Sequence, residues 1–148
     1  MPARASAGGY VMNYVRFITP ARRLRRVQAD CGPFGPAYQA AWDPRVPAVL
    51  QDAIWHEIQW FETNLPVPSP RKDAFCVKSR GRWYPDGICW FVAEAREMIA
   101  HAFVLASLLR ETGIPVRKVW ADHAGTVLYR DRWQIVAKPI EATPTVWC

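Results

Sequence analysis

Residues 92–138, VAEAREMIAHAFVLASLLRETGIPVRKVWADHAGTVLYRDRWQIVAK, decide the fold. In their first half Met98, Ile99, Ala102, Leu105, Ala106 and Leu109 recur at the three- and four-residue spacing of one helix face. Ala93, Ala100, Val104 and Leu108 carry apolar character round the back, so the pattern predicts a central, well-covered helix over Val92–Thr112. Gly113 followed by Ile114-Pro115 supplies the stop, because glycine accepts the left-handed closing conformation and proline cannot continue the ladder. The second half changes period. Pro115–Ala121 and Thr126–Pro139 are rich in Val, Ile, Tyr and Trp, are separated by the turn residues His123-Ala124-Gly125, and hinge at Asp131-Arg132. Tyr129, Trp133, Ile135 and Ala137 are expected to share one face. A long helix followed directly by strands on tight turns is the order of an α+β domain.

Working outward, Val46–Leu65 has the period of a second helix, introduced by Asp43-Pro44 with Asp43 as its expected cap and closed by Pro66 and Pro68. Leu50, Ile54, Ile58, Phe61 and Leu65 form its apolar stripe. Two residues break the pattern: Glu57 falls inside the apolar arc and Trp55 inside the polar arc. A carboxylate on an apolar stripe needs a partner, and an arginine is the expected one. His101 is expected to pair with Glu97, one turn before it on the central helix. Residues 10–18 (YVMNYVRFI) form a strand stopped by Thr19-Pro20, and 74–79 with 82–91 form an irregular hairpin. Residues 19–45, punctuated by CGPFGPAY, are expected to wrap the surface as a loop, and residues 1–9 to be a disordered tail. The expectation is a single α+β domain over residues 10–148, an antiparallel sheet of about five strands with two helices packed on one face.

Composition narrows the function classes. No apolar run approaches the roughly 20 residues that span a bilayer, and the N-terminus lacks the order of a secretory signal, so a soluble, cytoplasmic chain without a membrane partner is expected. Cys31, Cys76, Cys89 and Cys148 are scattered without metal-site spacing, and Cys148 is not a prenylation box. There is no phosphate loop, no Gly-x-Ser-x-Gly elbow and no His-Glu-x-x-His, so no cofactor and no metal are expected. The chain carries a net charge of +6, and residues 1–31 hold six Arg against one Asp. Arg22, Arg23, Arg25 and Arg26 could track nucleic-acid phosphates, one alternative for function. Eight Trp, five Tyr and six Phe are more than a two-helix core readily hides. The leading expectation is therefore a non-catalytic protein-binding module, using Trp55, Phe34 and Tyr38 together with that Arg cluster, whose partner is another protein.

A third expectation comes from a resemblance. Gly87-Ile88-Cys89-Trp90 resembles the Gly-x-Cys-Trp context of papain-like and transglutaminase-like enzymes, where the cysteine opens a helix. Leu108–Arg117 is similar to the helix-to-strand passage of the transglutaminase-like group, and His123 follows in the order that group uses. Across these roughly 35 residues the resemblance implies a Cys89 thiolate stabilised at a helix N-terminus, His123 as its base, and acyl transfer or hydrolysis as the reaction. Lys138-Pro139 stands where that group's Asp-Pro would be sought.

Overall fold

The computed structural model describes residues 12–24, 29–66, 68 and 87–140. β-branched and aromatic residues at Tyr14–Ile18 build the first half of β1 (Tyr14–Leu24), the strand on which the sheet is organised. β1 pairs antiparallel with β3 (Ile88–Val92) on one side, through Tyr14↔Val92 and Val15↔Phe91. On its other side it pairs with β4 (Arg117–Ala121), from Tyr14↔Ala121 to Ile18↔Arg117. The later part of β1 pairs with the short β2 (Ala29–Cys31). β6 (Gln134–Lys138) pairs with β3, and β5 (Thr126–Arg130) with β6, so the main sheet is ordered β4-β1-β3-β6-β5 and is antiparallel throughout. β3 and β4 point the same way with β1 between them, and α3 (Arg96–Glu111) bridges the gap as a split β-α-β unit.

One connection shapes this sheet. β4 ends at Ala121, level with Tyr14 and Val92, whereas β5 begins at Thr126, level with Lys138 at the opposite end of the strands. On a flat sheet the two points would lie on the order of 19 Å apart across the strands and about 17 Å along them. Five residues reach at most about 18 Å. The sheet therefore coils, and Asp122–Gly125 crosses its concave face. Ala121 and Ala124 pack there with Ile88, Trp90, Ile135 and Ala137 in a core of their own. Gly125 makes the crossing possible: its φ is +116°, and a Cβ built on it would stand 2.1 Å from the Lys138 carbonyl oxygen.

The helices cover the other face. α2 (Ala48–Asn64) follows Pro47 and stops at Leu65, which the following Pro66 holds extended. Its Ile54, Ile58 and Phe61 meet Met98, Ala102, Leu105 and Leu109 of α3 over Val15 and Phe17 of β1. α3 closes on Gly113, whose φ of +93° permits the Ile114 N–H to return to the Leu109 carbonyl (3.0 Å). The expected α+β class and five-stranded antiparallel sheet are thus present. The helix number differs. Within residues 19–45, expected as a loop, β1 continues to Leu24, β2 follows, and a third helix, α1 (Phe34–Trp42), packs on α2. Asp43 does not cap α2; its carboxylate accepts the Arg45 N–H and guanidinium in the turn before it. Tyr129 pairs with Val136 across a register shift that begins after Val127, which puts it on the face opposite Ile135 and Ala137. The expected tail at 1–9 and strand at 74–79 lie outside the described residues.

Gly125→Ala tests the crossing. Strained φ and the collision with the Lys138 carbonyl should together cost about 2 kcal/mol or more, measured as a lowered urea midpoint at unchanged slope. Gly113→Ala meets no neighbour within 4 Å and should cost less.

Candidate functional site

α1 is built for one-sided packing. Phe34 sets its ring edge-on to Phe61 of α2 (4.9 Å), and Ala37 and Ala40 are buried between the helices. One turn further along, Tyr38 and Trp42, spaced i and i+4, both meet Trp55 of α2, with ring centres 6.4 and 5.7 Å away. The Tyr38 hydroxyl donates to the Glu62 carboxylate, and burial together with that carboxylate pushes the phenol up to about 12. Trp55 therefore lies on the outward side of α2, as the helix wheel places it, but half-buried beneath α1. Phe34 and Tyr38 sit on a helix and are likewise partly covered. The most open aromatic of the trio is one that sequence reasoning missed: Trp42 is 72% exposed, and Val49 in the first turn of α2 is 79% exposed. The signal for Trp42 was the i,i+4 spacing Tyr38-x-x-x-Trp42, hidden inside a stretch that glycine and proline made look irregular.

The second polar feature is internal. Glu57, 8% exposed, holds the Nδ1 of His101 at 2.7 Å, joining α2 to α3 across 44 positions of sequence. The imidazole also stacks on Trp60 (3.6 Å between centres, 12° between planes). Histidine, not the expected arginine, satisfies the carboxylate on the apolar stripe, and the partner of His101 is Glu57, not Glu97. A carboxylate, an imidazole and an indole locked together between two helices form a strut. Among the described residues no three His, Cys, Asp or Glu side chains gather as metal ligands.

The enzyme expectation meets a different geometry. Cys89 is the second residue of β3, seven residues before α3 begins, so no helix N-terminus stabilises its thiolate. It pairs with Val136 of β6 and is a free, exposed cysteine. Desolvation by the protein around it pushes the thiol up to about 11; Arg16 opposes this shift and Asp131 adds to it. His123 rides on the crossing link, whose Ala124 packs into the concave face. Asp131 is occupied in the β5–β6 turn, accepting from the Trp133 and Gln134 N–H groups and from the Tyr129 hydroxyl. Of the Arg cluster, Arg22 and Arg23 fall within β1, Arg23 opposite Asp30, while Arg25 and Arg26 lie outside the described residues. Among the described residues no helix is long and apolar enough to cross a membrane.

Comparison with family models, with curated proteins and with solved structures finds no match. A function for this chain is argued from its own geometry.

Two outcomes follow. Glu57→Ala and His101→Ala should each destabilise by about 2 kcal/mol, since each leaves a polar partner unsatisfied, and the double variant should cost less than their sum by about 1 kcal/mol in urea unfolding. Cys89 should alkylate with iodoacetamide roughly tenfold or more slowly in the folded chain than in urea at pH 7. Because folding raises this thiol, it favours the protonated form: that stabilisation is whole below the ordinary thiol range and fades as pH rises through about 11.

Proposed function

We propose that this chain is a non-catalytic, cytoplasmic protein-binding module whose partner docks on the outer surface of α1 and α2. The observation that carries the reading is Trp42. An indole 72% exposed, yet held in place by Trp55 and by its helix, offers a large apolar contact whose ordering entropy is already spent. Val49 extends the apolar area.

Charge supports the same surface and gives the partner a sign. Apart from the internal Glu57, residues 34–64 hold Asp43, Asp52 and Glu62 against the single Arg45, a deficit of two charges inside a chain whose net charge is +6. Arg45 is itself paired with Asp43 at 2.9 Å. The α1–α2 surface is therefore an acidic island on a basic protein, suited to a basic segment of another protein. The four cysteines fit a reducing compartment. The acyl-transfer reading is not carried forward, because Cys89 has neither the helix N-terminus nor the lowered pKa that it requires.

Trp42→Ala separates binding from folding. Its thermal midpoint should stay within a few degrees of the wild type, since an exposed side chain contributes little to stability. Proteins retained by the wild-type chain from its native cell should be lost on the variant, with a captured partner weakened by about 2 kcal/mol or more. Equal retention by both chains, measured by quantitative mass spectrometry, would remove Trp42 from the interface.

A further inference from the structure

The sequence pattern predicts a well-covered α3, yet one face of it is bare. Phe103, 40% exposed, and Val104, 45% exposed, stand at the centre of this face. The small residues Ala100 and Ser107 flank them, and Arg96-Glu97 and Arg110-Glu111 close the two ends, all of them exposed. The order of residue types is nearly the same from either end: a charged pair, a small residue, two apolar residues, a small residue, a charged pair. Such a stripe is matched by a second α3 running antiparallel to it. At a two-fold axis Phe103 and Val104 meet their own copies, Ala100 comes level with Ser107, and Arg96 with Glu111.

The sheet edge beneath α3 has the same property. β4 is an outermost strand, and among the described residues no strand pairs with its outer edge. Antiparallel pairing of β4 with itself, centred on Val119, sets Lys118 opposite Trp120 of the second copy and Arg117 opposite Ala121, so no like charges face each other. The two centres coincide, because Lys118, the neighbour of Val119, holds its Nζ 4.7 Å from the centre of the Phe103 ring. One two-fold axis perpendicular to the sheet therefore serves both strand and helix. Phe103 also meets Phe17 of β1 (5.2 Å), so α3 rides above β1 and β4. A helix midway between those strands stands about 5 Å from an axis half a strand spacing beyond β4, and its copy about 10 Å away, the separation of packed helices. Sheet twist crosses the two helices in the sense that carries Arg96 toward Glu111 of the second copy. Glu97 and Arg110 are left at the rim, where Arg110 keeps its bond to the Val116 carbonyl. From this shared axis we infer that the chain binds a second copy of itself through the β4 edge and the bare face of α3, joining two five-stranded sheets into one. The surface is separate from the α1–α2 docking surface, which the dimer displays twice.

Sedimentation velocity of the full chain, from micromolar to millimolar concentration, is expected to show a monomer–dimer equilibrium. Val104→Glu should raise the dissociation constant about tenfold or more, since a two-fold interface counts each substitution twice. Glu111→Arg, which sets an arginine against Arg96 at both ends, should weaken the dimer by a similar factor, and Arg96→Glu added to it should restore the wild-type constant. These positions are exposed, so the thermal midpoint of each variant should stay within a few degrees of the wild type. In a mixture of isotope-labelled and unlabelled chains, nuclear Overhauser contacts between copies are expected from Lys118 to Trp120 and between Val104 methyl groups. A chain that stays monomeric at millimolar concentration, or a dimer indifferent to both Val104→Glu and Glu111→Arg, would overturn the proposal. Contacts between copies that leave out β4 would overturn the edge pairing.

Discussion

The link Asp122–Gly125 is too short to join the ends of β4 and β5 on a flat sheet, and much of the architecture follows from that shortage. The sheet has to coil, and coiling gives it two unlike faces. The concave side encloses Ile88, Trp90, Ile135 and Ala137 under Ala121 and Ala124 of the crossing strand and its link. The helices have only the convex side to occupy. Two cores result, one inside the curl and one between sheet and helices, and β1 contributes to both by presenting Val15 and Phe17 to the helices and Tyr14 to the concave side.

On the convex side the elements are layered by what each can bury. α3, tied into the sheet by the split β3-α3-β4 unit and by the Arg110 guanidinium on the Val116 carbonyl (2.8 Å), is the inner helix. α2 lies on it, pinned by Ile54, Ile58 and Phe61 and by the Glu57–His101 pair. Among the described elements α1 packs on α2 and a little on α3, and its last residue, Trp42, is exposed. That order of layers places Trp42 outside while Trp55 beneath it is fixed by a well-packed helix. An exposed aromatic on such a foundation is held in advance of any contact, the property on which the proposed docking surface relies.

Most of the fold was legible in the sequence because two helices and several strands follow their periods cleanly. α1 was not. Gly32-Pro33 and Gly35-Pro36 look like loop punctuation, yet Pro33 is the N-cap and Pro36 lies in the first turn, where a missing N–H costs no helical hydrogen bond. Missing α1 also hid what covers Trp55: the wheel put it on the outward side of α2, but no wheel knows what a neighbouring helix will lay over it. Glu57 was recognisable as needing a partner. That the partner is His101 depends on which turns of α2 and α3 lie side by side, which only tertiary packing settles. At Cys89 the local resemblance competed with the alternation of ICWFV, in which Ile88 and Trp90 are buried and Cys89 is exposed. The two-residue period of a strand prevailed.

The most direct measurement of the central claim is a set of nuclear Overhauser contacts in the free chain among the ring protons of Tyr38, Trp42 and Trp55. Contacts from Trp55 to both other rings, without any ligand, are the result predicted for a surface assembled in advance by α1 on α2. A Trp42 ring with averaged shifts and no contact to Trp55, in a chain whose Phe34–Phe61 contacts are intact, would contradict it.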